Sequence, residues 1–257
     1  EQVRAVATNT LRVARNAQKF VQQAQIALGF PIEVIAGVEE ARLIYIGTSH
    51  EAPAVSGNRL VIDVGGGSSE FIIGKGYEPK LLESLYIGCV SHSIRFFPNG
   101  VIDPHAFKEA ELAARREVQV IKRRFSKSGW NQVIGSSGTA RALADLIADN
   151  KLNGSEEKPA LEPFDKGGAA VITLHGLKGL KRRILNFDHI DRVNLINLKD
   201  DRRPVLPGGL SIMLGIFDEL GIDRMEVSDA ALRVGVLYDL LGRTQHDDMR
   251  FVTVEQF

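Results

Sequence analysis

The chain has 257 residues, 44% of them hydrophobic and 25% charged, a balance that excludes a disordered or fibrous protein. Its 32 basic residues match its 32 acidic ones, so it lacks the basic excess of a dedicated nucleic-acid binder. One cysteine, Cys89, leaves no intramolecular disulfide and points to a reducing compartment, and no apolar run approaches membrane-spanning length.

Read in order, Val3 to Ala7 alternates like a strand, and the chain is expected to begin inside a longer protein. Asn16 to Leu28 places Phe20, Val21, Ala24, Ala27 and Leu28 on one helical face, with Gly29 as the stop. Ile32 to Ile35 is a short β-branched run, and Glu39 to Gly47 is helical. Arg59 to Val64, Glu70 to Gly74 and Lys80 to Tyr86 are three closely spaced strands, the pattern of an antiparallel meander. A helix is predicted from about Pro104 to Phe125, a strand at Gln132 to Ile134 and a helix from Thr139 to Ala148. Asn150 to Pro163 is a polar surface loop. Helices follow near Ala169 to Leu185 and Gly209 to Leu220, then a strand at Arg224 to Val227 and a last helix, Asp229 to Leu241, capped by Ser228.

From residue 59 the order is β-β-β-α-β-α, an insert, then α-α-β-α. Apart from one extra helix, this resembles the ribonuclease H-like unit from which actin-like proteins are built in duplicate. The first 50 residues supply only β-α-β-α. The expected fold class is therefore α/β, an actin-like ATPase (ribonuclease H-like) fold with one complete domain plus half of a second. Residues 1–50 are assigned to the C-terminal half of domain I and 51–241 to domain II. The last helix, 229–241, is expected to pack back toward domain I, and 242–257 form a tail.

The strongest chemical signal runs from Val61 to Glu70 (VIDVGGGSSE). An apolar strand ends in Asp63, turns on Gly65, Gly66 and Gly67, and returns through Ser68 and Ser69. Glycines let backbone N–H groups converge on an anion, and the two hydroxyls add donors. Asp63 stands where Mg²⁺ would be held, directly or through water. A hairpin turn alone needs two residues, not three glycines. A second glycine element, Ile134 to Thr139 (IGSSGT), again joins a strand to a helix, a generic phosphate site offering Gly135, Gly138 and Thr139. Glycine there also serves close packing. In Gly37 to Arg42 (GVEEAR), two carboxylates open a helix; one complements the macrodipole and one is a candidate general base, and spacing does not choose between Glu39 and Glu40. Arg12, after the first strand, reads as a forked phosphate contact or as one more surface charge, and composition favours the latter.

Thr10 to Arg12, Gly37 to Ile44, Leu60 to Glu70, Gly88 to Val90, Gly135 to Thr139, Leu206 to Leu210 and Ser228 to Tyr238 together resemble the exopolyphosphatase and guanosine-pentaphosphate phosphatase family, almost from end to end. Tyr77 to Pro79 and Leu82 to Ser84 look more like the exopolyphosphatase branch. The resemblance implies Glu40 as catalytic base, Arg12 as a phosphate contact, and Asp63 and Glu70 in Mg²⁺ and phosphate handling. It implies Mg²⁺ as cofactor, with a monovalent cation such as K⁺, and inorganic polyphosphate or pppGpp as substrate. A cytoplasmic or peripheral inner-membrane location and a homodimer of the full-length protein are expected, and the isolated chain is expected to be inactive. The family's opening Asp-x-Gly-Ser-Asn-Ser loop has no match in residues 1 to 50. An actin-like nucleotide-binding module and a scaffold that binds polyphosphate without cleaving it are the alternatives; the scaffold gains weight if Glu40 is remote from the Asp63 loop. Basic stretches at 122–124, 181–183 and 202–203 form either a polyanion track or solvated helix faces, the second being favoured. His246 to Asp248 lacks the further histidines of a His-Asp phosphohydrolase.

Overall fold

The computed structural model of the chain describes residues 3–53, 55–153 and 170–242. Two strands, β1 (Ala5–Ala7) and β2 (Ile32–Val34), pair in parallel, with α1 (Asn9–Val13) and α2 (Ala17–Leu28) between them. Gly29 ends α2 in the left-handed conformation that favours glycine. Helix α3 (Gly37–Glu51) leads into a six-stranded sheet. That sheet holds β3 (Arg59–Val64), β4 (Ser69–Lys75), β5 (Glu78–Leu85), β6 (Gln132–Gly135), β7 (Val171–Thr173) and β8 (Arg224–Val227), in the order β5-β4-β3-β6-β8-β7.

The expected meander is present: β3, β4 and β5 pair antiparallel, while β6 and β8 extend the sheet in parallel beyond β3. This is the ribonuclease H-like sheet with one antiparallel strand, β7, added at its edge. Strand alternation assigns the faces. Leu60, Ile62, Val64, Phe71 and Ile73 enter the main core. They meet α5 (Pro104–Gln119) through Phe107, Ala114 and Val118, and α8 (Leu206–Leu220) through Leu210, Met213 and Phe217. Val61, Ile72 and Ile134 face the other way and meet Ala41, Ile44 and Tyr45 of α3. Each such fully buried side chain contributes about 1.5–3 kcal/mol relative to exposure, so α3 is anchored on the sheet.

A final helix, α9 at residues 232–242, crosses the outer side of α3. The two helices approach closely because Gly47 and Gly235 face each other. A Cβ on Gly235 would fall within 3.0 Å of the Leu43 carbonyl, and one on Gly47 would do the same to the Ala231 carbonyl. Arg42 and Arg4 both pair with Asp239 (2.7 and 2.6 Å), and His50 stacks on Tyr238.

Several predicted elements differ from those observed. The stretch expected as one helix near 169–185 is a strand, β7, followed by α7 (Leu174–Ile184), with Thr173 Oγ1 accepting from Gly176 N at the junction. Its β-branched residues Val171, Ile172 and Thr173 extend the sheet edge, and the apolar spacing continues through the junction. Helix α1 and α4 (Cys89–Phe96) are too short for a 3.6-residue period to show. The helix from Pro104 ends at Gln119; Phe125 is buried from a succession of turns instead. Ser228 caps a turn, accepting from Ala230 N, and the helix begins four residues later. Most of the predicted polar loop, His246 to Asp248 and all but the first residue of the tail lie outside the described residues.

Candidate active site

The strand register brings four polar side chains abreast. Asp63 pairs with Glu70 across the β3–β4 hairpin, and Glu70 pairs with Ser84 of β5. Asp63 and Glu70 share the parity of Val61 and Ile72, so they stand on the sheet face that α3 covers. Ser136, two residues beyond Ile134, completes the row. Ser84 donates to Glu70 Oε1 at 2.8 Å, and Ser136 to Asp63 Oδ2 at 3.0 Å. Two carboxylates directly opposite each other destabilise a sheet. Burial first, then the neighbouring Glu40 and Asp63 carboxylates, push Glu70 up to about 8, against the bonds from Ser68 and Ser84. Burial likewise pushes Asp63 up to about 6, opposed by the Ser136 bond and reinforced by Glu40. Perturbed carboxylates gather at functional sites, which makes this row of side chains the candidate site.

Tertiary packing separates the two glutamates at the start of α3. Glu39 turns outward to a forked pair with Arg42, both bonds 2.8 Å. Glu40 is 8% exposed and turns inward, where its charge acts on both Asp63 and Glu70. Arg12 Nη1 donates to Glu40 Oε2 and to the Ile35 carbonyl, each at 2.8 Å. The arginine is therefore inside the site and not on the open surface. Gly37 allows this convergence, since a Cβ there would collide with Ser84 Oγ.

The triple-glycine bend lies beside the same group. None of its glycines has a left-handed backbone, so conformational freedom is not why they are there. Close approach is: a Cβ on Gly67 would strike Asn9, and one on Gly65 would sit 3.1 Å from the Ser68 carbonyl. Gly65 N–H is tied to that carbonyl at 2.9 Å. The N–H groups of Gly66, Gly67 and Ser68 make no such turn or loop bond among the described residues. The start of α4 braces the bend from behind, with Cys89 N donating to the Gly65 carbonyl and Val90 N to that of Gly66.

Of the other candidates, Ser69 and Thr139 are committed to main-chain carbonyls. Ser69 Oγ donates to the Ile87 carbonyl at 2.7 Å and is fully buried. Thr139 Oγ1 donates to the Val64 carbonyl at 2.8 Å, which ties α6 (Gly138–Asp149) to the end of β3. Gly135 makes room for Ala140 and Met225, a packing role. Gly138 opens α6 beneath the Arg202 guanidinium, 3.0 Å from where its Cβ would stand. Of the basic stretches, Lys122, Lys181 and Arg202 pair with Glu219, Glu111 and Asp201, and Arg124 pairs with Glu83. Sequence reasoning assigned no role to Ser84, Ser136, Asn9 or Gly88. Ser136 lies inside a glycine element already singled out, and Ser84 and Gly88 lie in segments that carry the family resemblance; Asn9 had no signal of its own.

Among the described residues no group of three or more His, Cys, Asp and Glu side chains is placed to hold a metal ion. The donor set still fits Mg²⁺, which commonly takes one or two carboxylates and completes its shell with water and substrate phosphate. Asp63 and Glu70 are hard oxygen donors whose mutual repulsion a cation relieves.

Residues 1–244 match the Ppx/GppA phosphatase family. The chain belongs to that family. Among its relatives are the guanosine-5′-triphosphate,3′-diphosphate pyrophosphatase of Vibrio cholerae, 38% identical over 99% of this chain and 48% of that protein, and a Haemophilus influenzae protein provisionally named an exopolyphosphatase, 38% identical over 98% of this chain and 73% of that protein. The chain thus spans about half the length of the first of these. A solved Ppx/GppA family member from Aquifex aeolicus superposes with a TM-score of 0.75 at 28% identity, over 95% of this chain and 75% of that one. The buried carboxylates and the glycine bend lie within the matched residues. Among the described residues no helix is long and apolar enough to cross a membrane.

Proposed function

We propose that this chain carries the phosphoanhydride-cleaving centre of an exopolyphosphatase, which removes the terminal phosphate of inorganic polyphosphate. One observation carries the reading: Glu40 is turned into a buried site whose field reaches Asp63 and Glu70, beside a bend with backbone N–H groups to spare. A scaffold that only binds polyphosphate needs no buried carboxylate there.

Phosphoryl transfer requires positioning and charge stabilisation more than covalent chemistry. The N–H groups of Gly66, Gly67 and Ser68 and the Arg12 guanidinium receive the oxygens of the terminal phosphoryl group. Arg12 occupies Oε2 of Glu40, which leaves Oε1 to orient a water and take its proton as the P–O anhydride bond breaks. The water oxygen bonds to phosphorus, the leaving oxygen stays on the shortened polymer, and orthophosphate departs. Asp63 and Glu70 would hold Mg²⁺, which supplies charge neutralisation at the phosphoryl oxygens. The protein that contains this chain is proposed to act in the cytoplasm as a homodimer.

In that intact protein, Glu40→Gln should lower orthophosphate release by about 10²–10⁴-fold while polymer binding is retained. Normal turnover at saturation with binding lost would refute the base assignment. The second reading, removal of the terminal phosphate of pppGpp, is supported by the activity for which the Vibrio cholerae relative is named. Orthophosphate release from long polyphosphate and from pppGpp, compared side by side, separates the two.

A further inference from the structure

Asn9 is 9% exposed, and its side-chain Nδ2 is buried without a hydrogen-bond partner. One helical turn on, Arg12 Nε is in the same condition, although Nη1 of that guanidinium is paired. Leaving a buried donor unpaired costs about 1–3 kcal/mol, and folded proteins do so rarely. Both donors sit on α1, and the Asn9 amide lies against the glycine bend: a Cβ on Gly67 would come 3.2 Å from Asn9 Cγ and closer still to Oδ1. An orphaned donor from one part of the chain thus stands beside the glycine bend of another, and a second lies one turn further along α1.

On the hydrolase reading above, we infer that Asn9 is a further substrate-binding residue whose Nδ2 donates to an oxygen of the terminal phosphoryl group held at the Gly65–Ser68 bend. The ligand class follows from the unpartnered groups, Asn9 Nδ2, Arg12 Nε and the N–H groups of the bend: all are donors, which suits an anion with several oxygens, while the Asn9 Oδ1 lies toward Gly67. Asn9 adds a hydrogen bond without adding charge beside Glu40, so it holds the phosphate without weakening the base. Because Asn9 and the bend come from separate segments, a phosphate between them also ties α1 to the β3–β4 hairpin.

The test compares Asn9→Ala and Asn9→Asp with the parent in the intact protein. KM and kcat for polyphosphate are measured, and so is the rise in melting temperature caused by inorganic orthophosphate. Asn9→Ala should raise KM about tenfold or more and shrink the orthophosphate-induced rise. Asn9→Asp, of the same shape but without the donor and negatively charged, should be worse than alanine on both readouts. A merely structural Asn9 would lower the melting temperature of the free protein and leave KM alone, with Asp no worse than Ala. Either variant, folded and within twofold of the parent in KM and in the orthophosphate response, overturns the inference. Should Asn9→Ala not fold, Asn9→Asp decides on the same readouts. A parent that cleaves nothing but is stabilised by orthophosphate, with Asn9→Ala losing that response, refutes the hydrolase reading and keeps Asn9. A parent that orthophosphate does not stabilise and that cleaves nothing overturns both.

Discussion

Adding one methyl group behind the glycine bend should disable the site without replacing any residue assigned to substrate. Gly88 has an extended backbone, φ −152° and ψ 158°, which any residue adopts, so Gly88→Ala introduces no dihedral strain. It introduces a collision. The new Cβ would lie within 3.0 Å of three atoms of the bend: the carbonyl carbon and oxygen of Gly66 and the nitrogen of Gly67. All three are backbone, so no rotamer relieves the overlap. Ordinary contact begins at 3.4 Å, so the bend has to retreat by about 1 Å, a misplacement that costs about 10²-fold in an active site. Overpacking of this kind costs about 1–3 kcal/mol, or roughly 3–10 °C in melting temperature for a chain of this size. The assay is orthophosphate release from polyphosphate by the intact protein, with thermal unfolding in parallel. Gly66→Ala is the stability comparison, because its Cβ meets only Val90 Cγ2, at 3.4 Å; its melting temperature should stay within a few degrees of the parent. A Gly88→Ala protein with kcat/KM within twofold of the parent would refute the argument that the bend is held from behind by backbone contact.

Glu70 makes stability depend on pH. The folded chain keeps its proton up to about 8, whereas an ordinary glutamate releases it near 4.5, so stability falls as pH rises between those values. Glu70→Gln should therefore match the parent at pH 4 and exceed it at pH 8 by on the order of 4 kcal/mol without divalent cations; identical curves would exclude a protonated Glu70. Gly235→Ala should separate α9 from α3, since its Cβ would overlap the Leu43 carbonyl, and thermal unfolding should show a loss of about 1–3 kcal/mol. An unchanged melting temperature would mean that the two helices part without cost. Glu40→Gln, described above, supplies the direct test of catalysis.

The meander, the parallel extension through β6 and β8, and α5, α6 and α8 were legible because long periodic or alternating segments announce which face is buried. Alternation also contained the pairing of Asp63 with Glu70: a four-residue bend, Gly65 to Ser68, between a six-residue and a seven-residue strand leaves little choice of register. The short helices α1 and α4 were not legible, since five and eight residues carry too little of a 3.6-residue period, and β7 was lost in the helical spacing that continues into α7.

The residue types of the candidate site came from sequence, and so did the fold class, because both depend on short-range pattern and on a distinctive set of motifs. Spacing left Glu39 and Glu40 open and the family resemblance named Glu40; only the tertiary structure shows why that one faces inward. Glu39 and Glu40 are 100° apart on one helix, and their fates depend on what lies around that helix: Arg42 and Asp239 on one side, Arg12 and the sheet on the other. The same holds for the glycines. Sequence suggested backbone freedom as their reason; the structure shows close approach, with Gly67 against Asn9 and Gly88 behind Gly66. Contacts between segments tens of residues apart are set by packing, and no local pattern encodes them.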